Sequence, residues 1–124
     1  NSFVELLDLY PTIAELAGLN HSKHLQGKNI APLLSKPKKK VRKMAFSVSQ
    51  GGRTFLIRTK KWAYIQYDED ATAGIELFDM EKDPQQFTNL ALFPEYSSVV
   101  KKLKQKLKNK LKKVRKNDLN IQYK

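Results

Sequence analysis

Four β-rich runs follow one another between Met44 and Asp79 with no interval long enough for a helix, and this spacing constrains the fold more than any other feature. Parallel neighbours need crossovers of about a dozen residues or more, so strands this close pair antiparallel. The first run, about 44–49, alternates Ala45, Ser47 and Ser49 with Phe46 and Val48 and enters a Gly51-Gly52 turn. Phe55, Leu56 and Ile57 mark the second, about 54–59, and Trp62, Tyr64 and Ile65 mark the third, about 62–67. Ile75, Leu77 and Phe78 mark the fourth, about 75–79, and Asp83-Pro84 closes the meander with a turn.

Beyond this region the period changes. Val100, Leu103, Leu107, Leu111 and Val114 recur at intervals of 3, 4, 4 and 3, one face of an α-helix expected over about 95–116. Near the other end, a helix is expected over about 8–17, with Asp8 as its N-cap, Pro11 in its first turn, and Gly18 as its C-cap. Leu7, Tyr10, Ala14 and Ala17 share a face of it, an earlier turn could be capped by a Ser2/Glu5 box, and Pro11 could bend or restart it. Residues 20–37 have loop chemistry with one apolar piece at Ile30–Leu34. The expected class is α+β: a four-stranded antiparallel sheet packed against a long C-terminal amphipathic helix, preceded by a shorter helix.

Charge is unevenly placed. Of 24 Lys and Arg, six lie in Lys36–Lys43 and ten in Lys101–Lys116, so the remaining eight face all 12 acidic residues and the rest of the chain carries −4. The overall +12 therefore belongs to one connecting loop and one helix face, which weakens the step from basicity to nucleic-acid binding. Between Ser97 and Asn120 there is no aromatic residue to stack bases or sit at a lipid interface, which favours a solvated face. With no Cys, disulfides, thiolate zinc sites and cysteine nucleophiles are excluded together. No apolar run approaches about 18 residues, so none spans a membrane as a helix. The start at Asn1, without an initiator Met, reads as a processed chain or a piece of a longer one.

Groups able to do chemistry are sparse. His21 and His24 are three apart but lie in a loop-like segment without a companion carboxylate, so exposed histidines compete with a metal pair. Asp68, Glu69 and Asp70 could hold a hard cation, yet lack the spaced oxygens and Gly of a calcium loop, and a solvated turn explains them as well. Gln50-Gly51-Gly52-Arg53 could present backbone amides and a guanidinium to an anion, or be a hairpin turn that needs Gly for its backbone. Walker, nucleophile-elbow and dinucleotide signatures are absent.

The order of motifs adds more than any one of them. Val4-Glu5-Leu6-Leu7-Asp8-Leu9-Tyr10-Pro11-Thr12-Ile13-Ala14-Glu15-Leu16-Ala17-Gly18-Leu19 is followed by His24-Leu25-Gln26-Gly27-Lys28-Asn29-Ile30-Ala31-Pro32-Leu33-Leu34. Then come Ala45-Phe46-Ser47, Ile57-Arg58-Thr59 before Trp62-Ala63-Tyr64-Ile65, and Glu76-Leu77-Phe78-Asp79-Met80 running through Asp83-Pro84 to Thr88-Asn89-Leu90. This succession, over about residues 3–115, resembles the late section of the type I sulfatases, most closely the iduronate-2-sulfatase-like branch.

The resemblance implies that residues 1–37 end an α/β, alkaline-phosphatase-like sulfatase domain and that 38–124 form its C-terminal subdomain. It also implies a parent enzyme that hydrolyses sulfate esters, with sulfated glycans the expected substrates, by a formylglycine from a C/S-x-P-x-R motif and a bound calcium ion. Neither is expected here: Ser35-Lys36-Pro37-Lys38-Lys39 has Lys where the motif needs Arg and sits at the wrong end of the family's chain, and the Asp-Asp and Asp-Asn calcium ligands are missing. The chain is expected to be inactive alone, with no catalytic or metal residue of its own, to pack against the catalytic domain, and to lend His24, Gln50 and Arg53 to the substrate cleft. By family habit the location is periplasmic, secreted or lysosomal. A second reading makes it a stand-alone basic module that binds nucleic acid, anionic membrane or sulfated glycan through helix 101–116.

Overall fold

A computed structural model describes residues 2–116 of the chain. The described residues divide into two compact units, 2–42 with 110–116, and 43–109.

The second unit is built on a sheet of order β1-β2-β3-β4, every neighbour antiparallel: β1 Met44–Ser49, β2 Thr54–Thr59, β3 Trp62–Tyr67 and β4 Ile75–Asp79. These are the four runs expected from the sequence, at the same boundaries. Their register places Phe46 beside Ile57, Ile57 beside Tyr64, and Tyr64 beside Leu77, one apolar row across the sheet. Ile57, Tyr64 and Leu77 are fully buried, and burying an aliphatic side chain of this size contributes about 1.5–3 kcal/mol. The β1–β2 connection is a 3-10 turn over Gln50–Gly52 in which Gly51 and Gly52 take φ of 63° and 89°, left-handed backbone that a side chain would strain. Lys60 and Lys61 alone join β2 to β3, where the Trp62 N–H donates to Thr59 Oγ1 at 2.9 Å.

After β4 the chain is fastened by short polar side chains. Asp79, 4 % exposed, accepts the N–H groups of Glu81 and Lys82 at 3.0 and 3.2 Å. Asp83 accepts the Thr88 N–H at 2.8 Å, and Asn89 Oδ1 accepts from both Leu77 and Ala91. Asn89 and the Leu90 N–H, which donates to the Leu77 carbonyl, thereby satisfy the edge of β4. A 3-10 turn at Pro94–Tyr96 leads into α3, Ser97–Val114, within the expected 95–116. Leu103, Leu107 and Leu111 of the predicted stripe are 3, 1 and 6 % exposed. The class is α+β as expected.

In the first unit a 3-10 turn at Leu6–Asp8 runs directly into α1, Leu9–Leu16, and the short helix α2 covers Pro32–Ser35. The α2 turn falls in a segment whose composition reads as loop; Pro at its first position and the Asn29 side chain, which accepts the Ala31 N–H at 2.9 Å, explain it. Pro11 lies in the first turn of α1, which runs unbroken from Leu9 to Leu16. Asp8 precedes α1, but its carboxylate does not cap that helix. It turns inward instead, accepting the N–H of Glu5 at 2.9 Å and of Lys28 at 2.7 Å together with the Arg42 guanidinium. Ser2 likewise forms no box with Glu5; its hydroxyl accepts the Val41 N–H at 2.8 Å. The buried side of α1 is Pro11, Thr12 and Ala14, while Leu6, Leu9, Ile13 and Leu16 line an exposed apolar side.

Arg42 belongs to the basic connecting segment Lys36–Lys43. Its side chain is only 8 % exposed and also meets Glu5 Oε2 at 3.2 Å. Thr12 completes the knot by donating to the Asp8 carbonyl at 2.5 Å and accepting the Ile30 N–H at 2.9 Å. No helix among the described residues is long and apolar enough to cross a membrane.

Candidate functional site

The β1–β2 turn and the β3–β4 loop meet at one end of the sheet because Thr54 is paired with Tyr67. Arg53 and Asp68 flank that pair, and the Asp68 N–H donates to the Arg53 carbonyl at 2.8 Å. Their side chains then form a fork, with Arg53 Nε to Asp68 Oδ1 at 2.8 Å and a second guanidinium N–H to Oδ2 at 3.1 Å. The Arg53 side chain remains 75 % exposed. A guanidinium carries five N–H donors, so this fork orients the group while leaving others for a second anion. Hydrogen bonding to Asp68 raises the pKa of Arg53, and the same bond outweighs the cost of burial to lower that of Asp68. Both groups are therefore charged at neutral pH.

Arg53, Thr54, Tyr67, Asp68 and Ala73 line a surface cleft of about 360 Å3. A buried network holds the β3–β4 loop in place. The Tyr64 hydroxyl donates to Gln66 Oε1 at 2.9 Å, and Gln66 Nε2 donates to the carbonyls of Asp68 and Glu69 at 3.0 and 2.8 Å. Burial pushes the Tyr64 phenol up to about 12, so it stays a hydrogen-bond donor throughout the physiological range. Asp68 sits at a φ of 58°, a backbone strain that these two bonds help to maintain.

Of the expected cleft residues, Gln50 and Arg53 share this turn, and the Gln50 side chain lies outside the described residues. His24 belongs to the first unit, exposed in a loop, its N–H donating to Ser22 Oγ at 3.2 Å. The sequence places Asp68 in an acidic turn able to hold a hard cation; its pairing with Arg53 spans 15 residues and follows from strand register. The acidic loop does not fit a calcium ion, because Asp68 is taken by Arg53 and Asp70 accepts both the N–H and the hydroxyl of Thr72. Among the described residues no group of three or more His, Asp or Glu could hold a metal ion.

The family described as N-sulphoglucosamine sulphohydrolase, C-terminal, matches residues 1–113. The chain belongs to that family. Its place in this sulphohydrolase C-terminal family makes it a C-terminal part of a type I sulfatase, as the motif order implied. Arylsulfatase K of Bos taurus is 32 % identical over 121 residues, which cover 88 % of this chain and 22 % of that protein. Among solved structures, a 2-O GAG sulfatase superposes with a TM-score of 0.72 at 27 % identity, covering 93 % of this chain and 26 % of that one. A second structure, solved with its substrate D-glucosamine-2-N,6-O-disulfate, gives a TM-score of 0.69 at 27 % identity, covering 90 % and 24 %. The chain thus spans about a fifth to a quarter of the length of these relatives.

Proposed function

We propose that this chain is the non-catalytic C-terminal part of an enzyme that hydrolyses sulfate esters of sulfated glycans, and that Arg53 stands at the rim of its substrate cleft. In this reading residues 1–37 complete the α/β catalytic domain and 38–124 form the subdomain packed against it. The exposed apolar side of α1 and the turn before it, with Leu6 at 84 %, Ile13 at 62 % and Leu16 at 61 %, supports such packing, since apolar clusters of this kind are normally covered. Formylglycine and calcium would be supplied by the upstream part of the enzyme. The compartment would be periplasmic, extracellular or lysosomal.

The observation that carries the rim assignment is the Arg53–Asp68 fork. A guanidinium already held by one carboxylate can bind a sulfate or uronate carboxylate with little further ordering, and Asp68 acts only by positioning it. His24 and Gln50 are proposed as further rim residues on family likeness alone.

A rim contact to a remote part of the substrate acts on binding more than on chemistry. In the whole enzyme, Arg53→Ala is expected to raise KM for a sulfated glycosaminoglycan oligosaccharide about tenfold, or about 1.4 kcal/mol, with kcat changed less than about twofold. Lys at this position should recover part of the loss. An unchanged KM would remove Arg53 from the rim.

A further inference from the structure

Helix α3 carries eight Lys and no Asp or Glu over Ser97–Val114. Lys101, Lys104, Lys108 and Lys112 recur at intervals of 3, 4 and 4, forming an exposed row about 16 Å long. Among the described residues none of these four forms an ion pair within 4 Å; Lys104 donates to the Asp70 carbonyl at 3.4 Å, and its charge also acts on the Asp70 carboxylate. Like charges at i,i+4 such as Lys104/Lys108 and Lys108/Lys112 repel one another, so the row is an arrangement that stability alone disfavours.

We infer that this row is a docking surface for a sulfated polysaccharide laid along α3. The choice of polyanion rests on the sulfated-glycan reading above, and the charge geometry agrees with it. An extended chain with repeating sulfates offers a line of compact anions, and a row of ammonium groups offers point charges with three donors each. The helix is poorly suited to other anionic partners. Its apolar stripe, Leu103, Leu107 and Leu111, is already buried and leaves nothing to enter a bilayer. It has no aromatic side chain on which bases could stack.

The test uses the full chain and a heparan sulfate oligosaccharide, with affinity measured against salt. The quadruple variant K101Q/K104Q/K108Q/K112Q is compared with K36Q/K38Q/K39Q/K40Q, which removes the same charge from the loop; circular dichroism and thermal unfolding verify that both are folded. The helix variant is expected to lose at least tenfold in affinity at physiological salt and to flatten the slope of log K against log salt by about 3. The loop variant is expected to stay within about threefold of the parent, and desulfated heparan sulfate, a DNA duplex of matched charge and phosphatidylserine vesicles are each expected to bind more weakly. Equal losses in the two variants would reduce the effect to net charge and overturn the inference, as would duplex DNA or vesicles binding as tightly as heparan sulfate. Sulfate release by the whole enzyme reads the enzymatic assignment independently, so either claim can fail while the other stands.

Discussion

Replacing Asp8 with Ala is expected to destabilise the chain by about 3–5 kcal/mol at neutral pH. The carboxylate is fully buried. It accepts two backbone N–H groups, from Glu5 and Lys28, and the guanidinium of Arg42. Its loss strands all three donors, and removing one partner of a buried ion pair leaves an uncompensated charge. Burial by itself would raise the Asp8 pKa; the Lys28 and Glu5 N–H groups and Arg42 together outweigh it and hold the carboxyl below its ordinary 3.8. A depressed carboxyl stabilises the fold above the unfolded-state pKa, and that contribution disappears as pH falls through the lower folded-state value. Urea unfolding should therefore show a wide gap between parent and Asp8→Ala at pH 7 that narrows below about pH 4. A gap under 1 kcal/mol at pH 7 would contradict this role, as would one that does not change with pH.

Gly27→Ala is expected to cost about 2–3 kcal/mol, and for a related reason. A Cβ at this position would overlap the Leu7 carbonyl, lying 2.8 Å from its carbon and 3.1 Å from Pro11 Cγ. The obstruction is mainly backbone, which cannot rotate aside as a flexible side chain would. Close approach here also delivers the next N–H, that of Lys28, to Asp8. The two substitutions disrupt one knot, so the double variant should lose less than the sum of the single losses. Strict additivity in denaturant unfolding, or a loss below about 0.5 kcal/mol for Gly27→Ala alone, would show that the Leu7–Gly27 approach does not hold the knot together.

Local signals were legible. Period-2 alternation and the Gly51-Gly52 turn placed β1 and β2, and the leucine stripe placed α3, because each depends on residues adjacent or one helical turn away. Pairings set by tertiary register were not. Asp8 has the sequence position of an N-cap, but Arg42, 34 residues on, claims its carboxylate. The same contact buries Arg42, which belongs to the basic connecting segment Lys36–Lys43. At the candidate site the turn bearing Arg53 was visible, while Asp68 became its partner only through the Thr54–Tyr67 pairing. The motifs that carried the family resemblance prove largely to be fasteners: Gly27, Asn29, Asp79, Asp83 and Asn89 hold loops to the framework. Residues that hold a fold together can therefore carry a family pattern by themselves.

The most direct test of the central claim is sulfate release from a sulfated glycosaminoglycan oligosaccharide. It compares this chain alone with a protein in which the same residues follow a formylglycine-bearing sulfatase catalytic part. The expected result is release by the longer protein and none above background by residues 1–124. Enzymatic release by the chain alone, or a folded longer protein that hydrolyses no sulfate ester, would contradict the account.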